Sequence, residues 1–310
     1  MNTKIFVLLC FLLACKGHLF AQDDMLSLLD NTSEPDQKVS ATFKTTKIIN
    51  AESIETVKAK TMDFRITHRF GNIGAASGGG GHTLYGFDNS EDIRISFDFG
   101  ITDKLMLGIA RSKKSENIDG VLKYRFLEQT TSNKIPLTIA FYGNIALTAR
   151  VASQLYGGTI NTTEKFIHRF SYISQLILAR KFNSSLSLEL LPTYSHRNFV
   201  KSYINPDNGA EEQNDLFALG VGGRIKLTKR FAILADYFYT LSDYRNNNST
   251  LPYYAPLALG IEIETGGHVF HLNFTNASAV IANEFIPNTN DNWLKGGYKF
   301  GFNISRVFNL

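Results

Sequence analysis

The sequence predicts an all-β chain: an antiparallel up-and-down transmembrane β-barrel of twelve strands behind an N-terminal signal peptide. Three observations predict it. From Met62 onward apolar residues recur at every second position, which places them on one face of a strand and would scatter them around a helix. Short and long connections alternate along the chain, as they do when one end of a barrel carries tight turns and the other carries loops. The final segment is an amphipathic aromatic strand that runs to the last residue.

The elements follow in chain order. Residues 1–21 read as a cleaved signal peptide, with Lys4 for the positive start, an apolar run from Ile5 to Ala14, and Leu19-Phe20-Ala21 before Gln22 as the cleavage site. Leu12-Leu13-Ala14-Cys15 offers the competing reading of a lipidated Cys15. Cys10 and Cys15 are the only cysteines, so a processed chain has no disulfide and no thiol chemistry. Residues 22–60 precede the first clear strand and read as a periplasmic or lumenal segment. Residues 61–310 are the expected barrel.

Within it, Met62, Phe64, Ile66 and Phe70 alternate with Asp63, Arg65, Thr67 and Arg69. Ile93, Ile95, Phe97 and Phe99 alternate with Arg94, Ser96 and Asp98. The pattern continues through Leu122–Phe126, Ile135–Leu147, Phe217–Leu227, Phe231–Leu241, Leu257–Ile263 and Phe270–Phe274, and four further segments bring the count to twelve. An even count returns both chain ends to one side of the membrane. The expected turns are 102–104, 130–134, 183–184, 228–230 and 266–267. Between them lie long polar connections at 71–92, 149–165, 198–215, 242–256 and 277–292, with 113–117 shorter.

Composition fits this reading. Hydrophobic residues make up 44% of the 310, and aromatics 12%, with 24 Phe, 13 Tyr and 1 Trp. The mean hydropathy of −0.10 suits a barrel, in which only alternate strand residues face lipid. A net charge of +4, spread along the chain, gives no case for nucleic acid. The closing strand places Tyr298, Phe300, Phe302, Ile304, Phe308 and Leu310 on one face, with Arg306 among them as a residue that can snorkel to headgroups. Such a terminal strand resembles the signal read by the barrel insertion machinery, which together with membrane lipid is the expected partner.

The stretches FKTTKIIN at 43–50, DFRITHRFG at 63–71, GITDKLMLGI at 100–109, ARKF at 179–182, ETGGHVF at 264–270 and GFNISRVF at 301–308 resemble an uncharacterised family of outer-membrane β-barrels, a domain of unknown function. The resemblance implies a barrel in a bacterial outer membrane and implies no activity.

Chemistry is sparse. Ser195 and His196 are adjacent, so a strand points them to opposite faces, and no Ser lies two residues after a His of the processed chain, as a barrel phospholipase would need. His268 and His271, three apart, also split across a strand. The glycine run at 78–81 lacks a following Gly-Lys-Ser/Thr and reads as a loop. No enzyme and no cofactor are expected. The polar stripe holds the candidates for a lumen lining: the bases Arg65, Arg69, Arg94, Lys123, Arg125, Arg169, Arg224, Lys226 and Lys299, and the acids Asp63, Asp98, Glu189, Asp236, Glu262 and Glu264. A base at mid-membrane on the lipid face costs about 2–4 kcal/mol, so the stripe must point inward. There it either pairs and closes the lumen, or lines a narrow path for small polar or anionic solutes. A structural, partner-docking barrel is the alternative; a barrel hydrolase is a third.

Overall fold

The computed structural model describes residues 36–156 and 165–310; the expected signal peptide and Cys15 lie outside them. Twelve antiparallel strands form one closed barrel in which each pairs with its sequence neighbours and the first pairs with the last. They are β1 (Thr61–Asn72), β2 (Ser90–Gly100), β3 (Leu105–Ser112), β4 (Asn117–Leu127), β5 (Thr138–Thr148), β6 (Phe170–Lys181), β7 (Leu186–Arg197), β8 (Asp215–Lys226), β9 (Phe231–Leu241), β10 (Leu257–Glu264), β11 (Val269–Thr275) and β12 (Lys299–Asn309). Two short helices, α1 (Ala152–Tyr156) and α2 (Ala282–Asn288), sit in the long connections. The seam is in register from Thr61↔Asn309 to Arg69↔Gly301, so no strand edge is left open.

The faces are inverted relative to a water-soluble protein. Ile95, Phe97, Ile109, Phe141, Ile145, Val221, Ile233 and Leu259 are exposed on the outside, while Arg65, Arg69, Lys123 and Lys299 are among the largest fully buried side chains. An apolar surface of this extent is stable only against lipid. Aromatic residues mark both ends of the wall. Phe70, Phe87 and Phe300 cluster with ring centroids 5.0–5.8 Å apart near the long loops. Phe126, Phe182, Phe231 and Phe308 stand exposed near the short turns.

The interior is not empty. Residues 38–60 enter from the short-turn end, where Val39 N–H donates to the Gln129 carbonyl at 2.8 Å, and leave by the same end, where Lys60 N–H donates to the Gly100 carbonyl at 3.0 Å. Between these points Phe43, Ile48, Ile49, Ala51, Ile54 and Val57 are buried. A Cβ at Gly100 would lie 1.9 Å from the Lys58 carbonyl oxygen, so the wall and the departing segment approach as only glycine allows. Val39 to Asn50, rich in strand-forming residues, makes bends and an isolated bridge between Lys47 and Glu52 instead of a thirteenth strand. Its backbone groups are met by lumen side chains, which an edge-free wall leaves as the available partners.

Candidate functional site: the occluded lumen

The inserted segment turns back at its deepest point. Ile48 N–H donates to the Ala51 carbonyl at 2.9 Å, closing a tight turn, and Lys47 and Glu52 on its flanks form an ion pair at 2.6 Å. Asp236, in the middle of β9, caps the turn. Its Oδ2 accepts from the backbone N–H groups of Ile49, Asn50 and Ala51 at 3.1, 2.8 and 3.2 Å. Three consecutive amides converging on one carboxylate oxygen make an anion nest, in which peptide dipoles replace the hydration that burial removed.

From β4, on the far side of the barrel, Lys123 reaches the same segment. Its Nζ donates to the carbonyls of Thr46 and Ser53, both at 2.9 Å, and pairs with Glu52 at 3.2 Å. Glu189 of β7 accepts from Ile54 N–H at 3.2 Å. On β1, Arg65 donates to Thr46 Oγ1 at 2.9 Å and Arg69 to Asn50 Oδ1 at 3.2 Å. The segment therefore bridges the lumen from wall to wall. Gly222 on β8 makes room for it: a Cβ there would stand 2.4 Å from Ile48 Cδ1.

Most of the remaining lumen charges pair. Arg94 meets Asp119 at 2.6 Å, and Asn144 donates to the same carboxylate at 2.9 Å. Arg65 pairs with Asp63 at 2.8 Å, and Arg224 with Glu262 at 2.7 Å. Asp98 leans over Gly108, where a Cβ would lie 2.2 Å from its Oδ1. Lys299 pairs with Asp291 at 2.5 Å. Four residues expected in the lumen sit at its ends. Arg125 and Glu264 lie at the short-turn mouth, paired with Glu55 at 3.5 Å and with Lys44 at 2.6 Å. Lys226, the last residue of β8, is at the same mouth. Arg169 is corrected from a strand position to the turn before β6, where it donates to the carbonyls of Thr148 and Arg150. The helical turn over Phe166–Arg169 moves the start of the strand from Phe166, where alternation puts it, to Phe170.

Several network members escaped the sequence reading. Asp119 lies on the Lys123 face of β4 and was legible by extending that alternation two pairs toward the chain start. Lys47 and Glu52 were not legible, because their segment has no period. The outer closure was missed as well. Residues 277–292, expected as a polar loop, fold inward over the barrel mouth. Val280 N–H donates to Asp92 Oδ2 at 2.9 Å, Asn283 of α2 reaches Ser171 at 3.1 Å, and the Phe285 ring packs edge-on against Phe238 of β9 at 5.1 Å. The signal was present in the run of Ala277, Ala279, Val280, Ile281, Phe285 and Ile286, too apolar for an exposed loop. Beside α2 a cleft of about 260 Å³ stays open to the outside, lined by Arg150, Arg169, Arg197, Lys201, Glu212 and Glu284 among others. Arg197 and Arg245 share Glu212, at 2.5 and 2.9 Å. Neither Arg150 nor Lys201 has an acidic partner among the described residues.

Ser195 is buried toward the lumen, whereas His196 faces outward and bonds Asp215 at 2.6 Å. The two share no face, and His268 lies in the β10–β11 turn, away from the buried His271.

Among solved structures, the fold is similar to the NanC porin, at 10% identity, covering 80% of this chain and 99% of that one with a TM-score of 0.46. It is similar to the KdgM porin, at 9% identity, covering 81% and 99% with a TM-score of 0.43. It is also similar to the outer membrane protein Omp33 of Acinetobacter baumannii, at 8% identity, covering 83% and 100% with a TM-score of 0.36. No curated protein sequence matches the chain. The family profile described as a membrane bound beta barrel domain, DUF5777, matches residues 43–308, which takes in most of the inserted segment and reaches from β1 into β12, and the chain belongs to that family.

Proposed function

We propose that this protein is an outer-membrane channel for small polar or anionic solutes that rests closed, with residues 38–60 as its plug. One observation carries the reading. The plug is a loop inserted from one mouth, held by polar contacts to wall side chains such as Asp236 and Lys123, and not a strand of the wall. A segment held this way can leave without unpairing the barrel. The basic outer cleft, with Arg150 and Lys201 unpaired among the described residues, supports an anionic solute. The location rests on the membrane-barrel family and the aromatic closing strand; a purified chain beginning at Gln22 would support cleavage of residues 1–21.

Planar-bilayer recording tests the channel. The full chain should conduct little, and the Lys123→Gln/Asp236→Asn variant, which loosens the plug from both walls, should show larger and anion-favouring conductance. Failure of both forms to conduct, with no solute uptake by liposomes, would leave the second reading: a structural barrel that docks partners through its loops. The two-level closure and the pairing of lumen charges favour that alternative. Cross-linking in intact envelopes would then be expected to recover a partner.

A further inference from the structure

We propose that the short-turn rim of the barrel is a binding surface for anionic phospholipid headgroups. The charge of the molecule is divided by height. Most lumen acids and bases are met by partners inside the barrel, as described. At the long-loop end the signs are mixed: Lys114 pairs with Glu91 and Arg197 with Glu212, and among the described residues the bases Lys113, Arg150, Lys201 and Lys295 and the exposed acids Asp88, Glu211 and Asp243 stand without an ion-pair partner. At the short-turn end one sign prevails. Lys60, Lys134, Lys229, Arg230 and Arg306 are exposed, Arg180 is half-buried, and none has an acidic partner among the described residues.

The acids at that end are already engaged. Asp103 accepts from Ala59 N–H at 3.0 Å, Glu128 binds Lys38 and Lys104 at 2.5 and 3.2 Å, Glu55 faces Arg125, and Glu264 pairs with Lys44. The surplus of positive charge is left to the surroundings.

Aromatic residues set the depth of these bases. Phe126, Phe182, Phe231 and Phe308 are 47%, 43%, 45% and 38% exposed on the lipid side of this rim. The Arg180 guanidinium lies 5.4 Å from the Phe182 ring centroid, and that of Arg306 5.0 Å from Phe308. Each cation thus stands at the edge of an apolar belt, with its stem among acyl chains and its charge at headgroup level. Fixed bases at that depth attract phosphate-bearing headgroups of net negative charge over zwitterionic ones. A soluble acidic protein would have no use for guanidinium groups stacked on lipid-facing rings.

The inference rests on the membrane barrel and not on transport, so a barrel that never conducts would keep this surface. The test uses the full-length protein in phosphatidylcholine vesicles doped with spin-labelled phosphatidylglycerol or spin-labelled phosphatidylcholine. The immobilised fraction should be larger for phosphatidylglycerol, and the difference should shrink with salt. The Arg180→Gln/Arg230→Gln/Arg306→Gln variant should lose about fivefold or more of that selectivity, given the strength of single bases near an anionic surface. Lys113→Gln/Lys295→Gln, which removes bases from the opposite end, should keep it. A gel-mobility shift on boiling checks that each variant is folded; if the triple variant is not, Arg230→Gln alone, in an exposed turn, carries the measurement. Equal association of the two lipids, or loss of selectivity in the long-loop variant and not in the short-turn one, overturns the proposal.

Discussion

Arg94 and Asp119 illustrate how a single residue behaves in this interior. Each is almost wholly buried, their ion pair spans 2.6 Å, and Asn144 satisfies a further lone pair. Removing one partner of a buried pair strands the other, at about 3–5 kcal/mol, whereas replacing both by apolar groups is often neutral. Arg94→Met should therefore lower the stability of the folded barrel in lipid vesicles by about that amount. Arg94→Met/Asp119→Leu should recover most of it, as urea titration in the vesicles would measure. At this scale the sequence was readable: alternation alone assigned Arg94, Asp98, Lys123, Asp236 and Lys299 to the buried face, because period two is a geometric property of a strand. It could not name their partners. Asp236 reads as one more acid in a stripe, yet its carboxylate meets three amides of a segment nearly two hundred positions earlier. Nothing local encodes that meeting.

The plug is the element least visible in advance. Residues 38–60 have neither helical nor strand period, since their order comes from wall groups and not from a repeated backbone bond. Their start is fastened at the short-turn mouth by Glu128, whose carboxyl is held below its ordinary value. Burial alone would raise it, but hydrogen bonds from Lys38 and Lys104 outweigh that effect. A carboxyl depressed in the folded state stabilises above its unfolded value, near 4.3, and the contribution is lost as pH falls through the lower folded value. Hydrogen exchange at Val39, corrected for intrinsic rates, should accordingly lose protection on acidification below about pH 4. Glu128→Gln should show the weakened protection already at neutral pH and little further change. An unchanged acid response in that variant would place the fastening elsewhere. The inward connection 276–298 teaches the complementary lesson. Its asparagines give it the polarity of a loop, while the apolar run through Ile286 carries its packing.

Over the whole molecule, the barrel reconciles two demands that oppose each other. Charged side chains must leave the lipid face, and charges gathered in a dry lumen must be neutralised. Cross-strand pairs meet part of the second demand and the plug meets the rest, through its backbone amides and carbonyls as much as through Lys47 and Glu52. The lipid face and the twelve-strand count followed from period-two alternation and connection lengths. The closure did not, because it depends on which irregular segments find the interior. The plug also begins and ends at one mouth, so a pull on Lys38 acts on a loop whose other end stays fixed at Lys60. Force applied there along the barrel axis would draw the segment out as a loop, without threading anything through the wall. Fully drawn, residues 38–60 would reach about 75 Å, at 3.3–3.6 Å per residue. Single-molecule pulling from the N-terminal side should show this extension as a first step well below the force that separates β1 from β12, and the step should shorten or vanish in Lys123→Gln/Asp236→Asn. Mechanically, the molecule is a rigid hoop with a tongue that can be pulled.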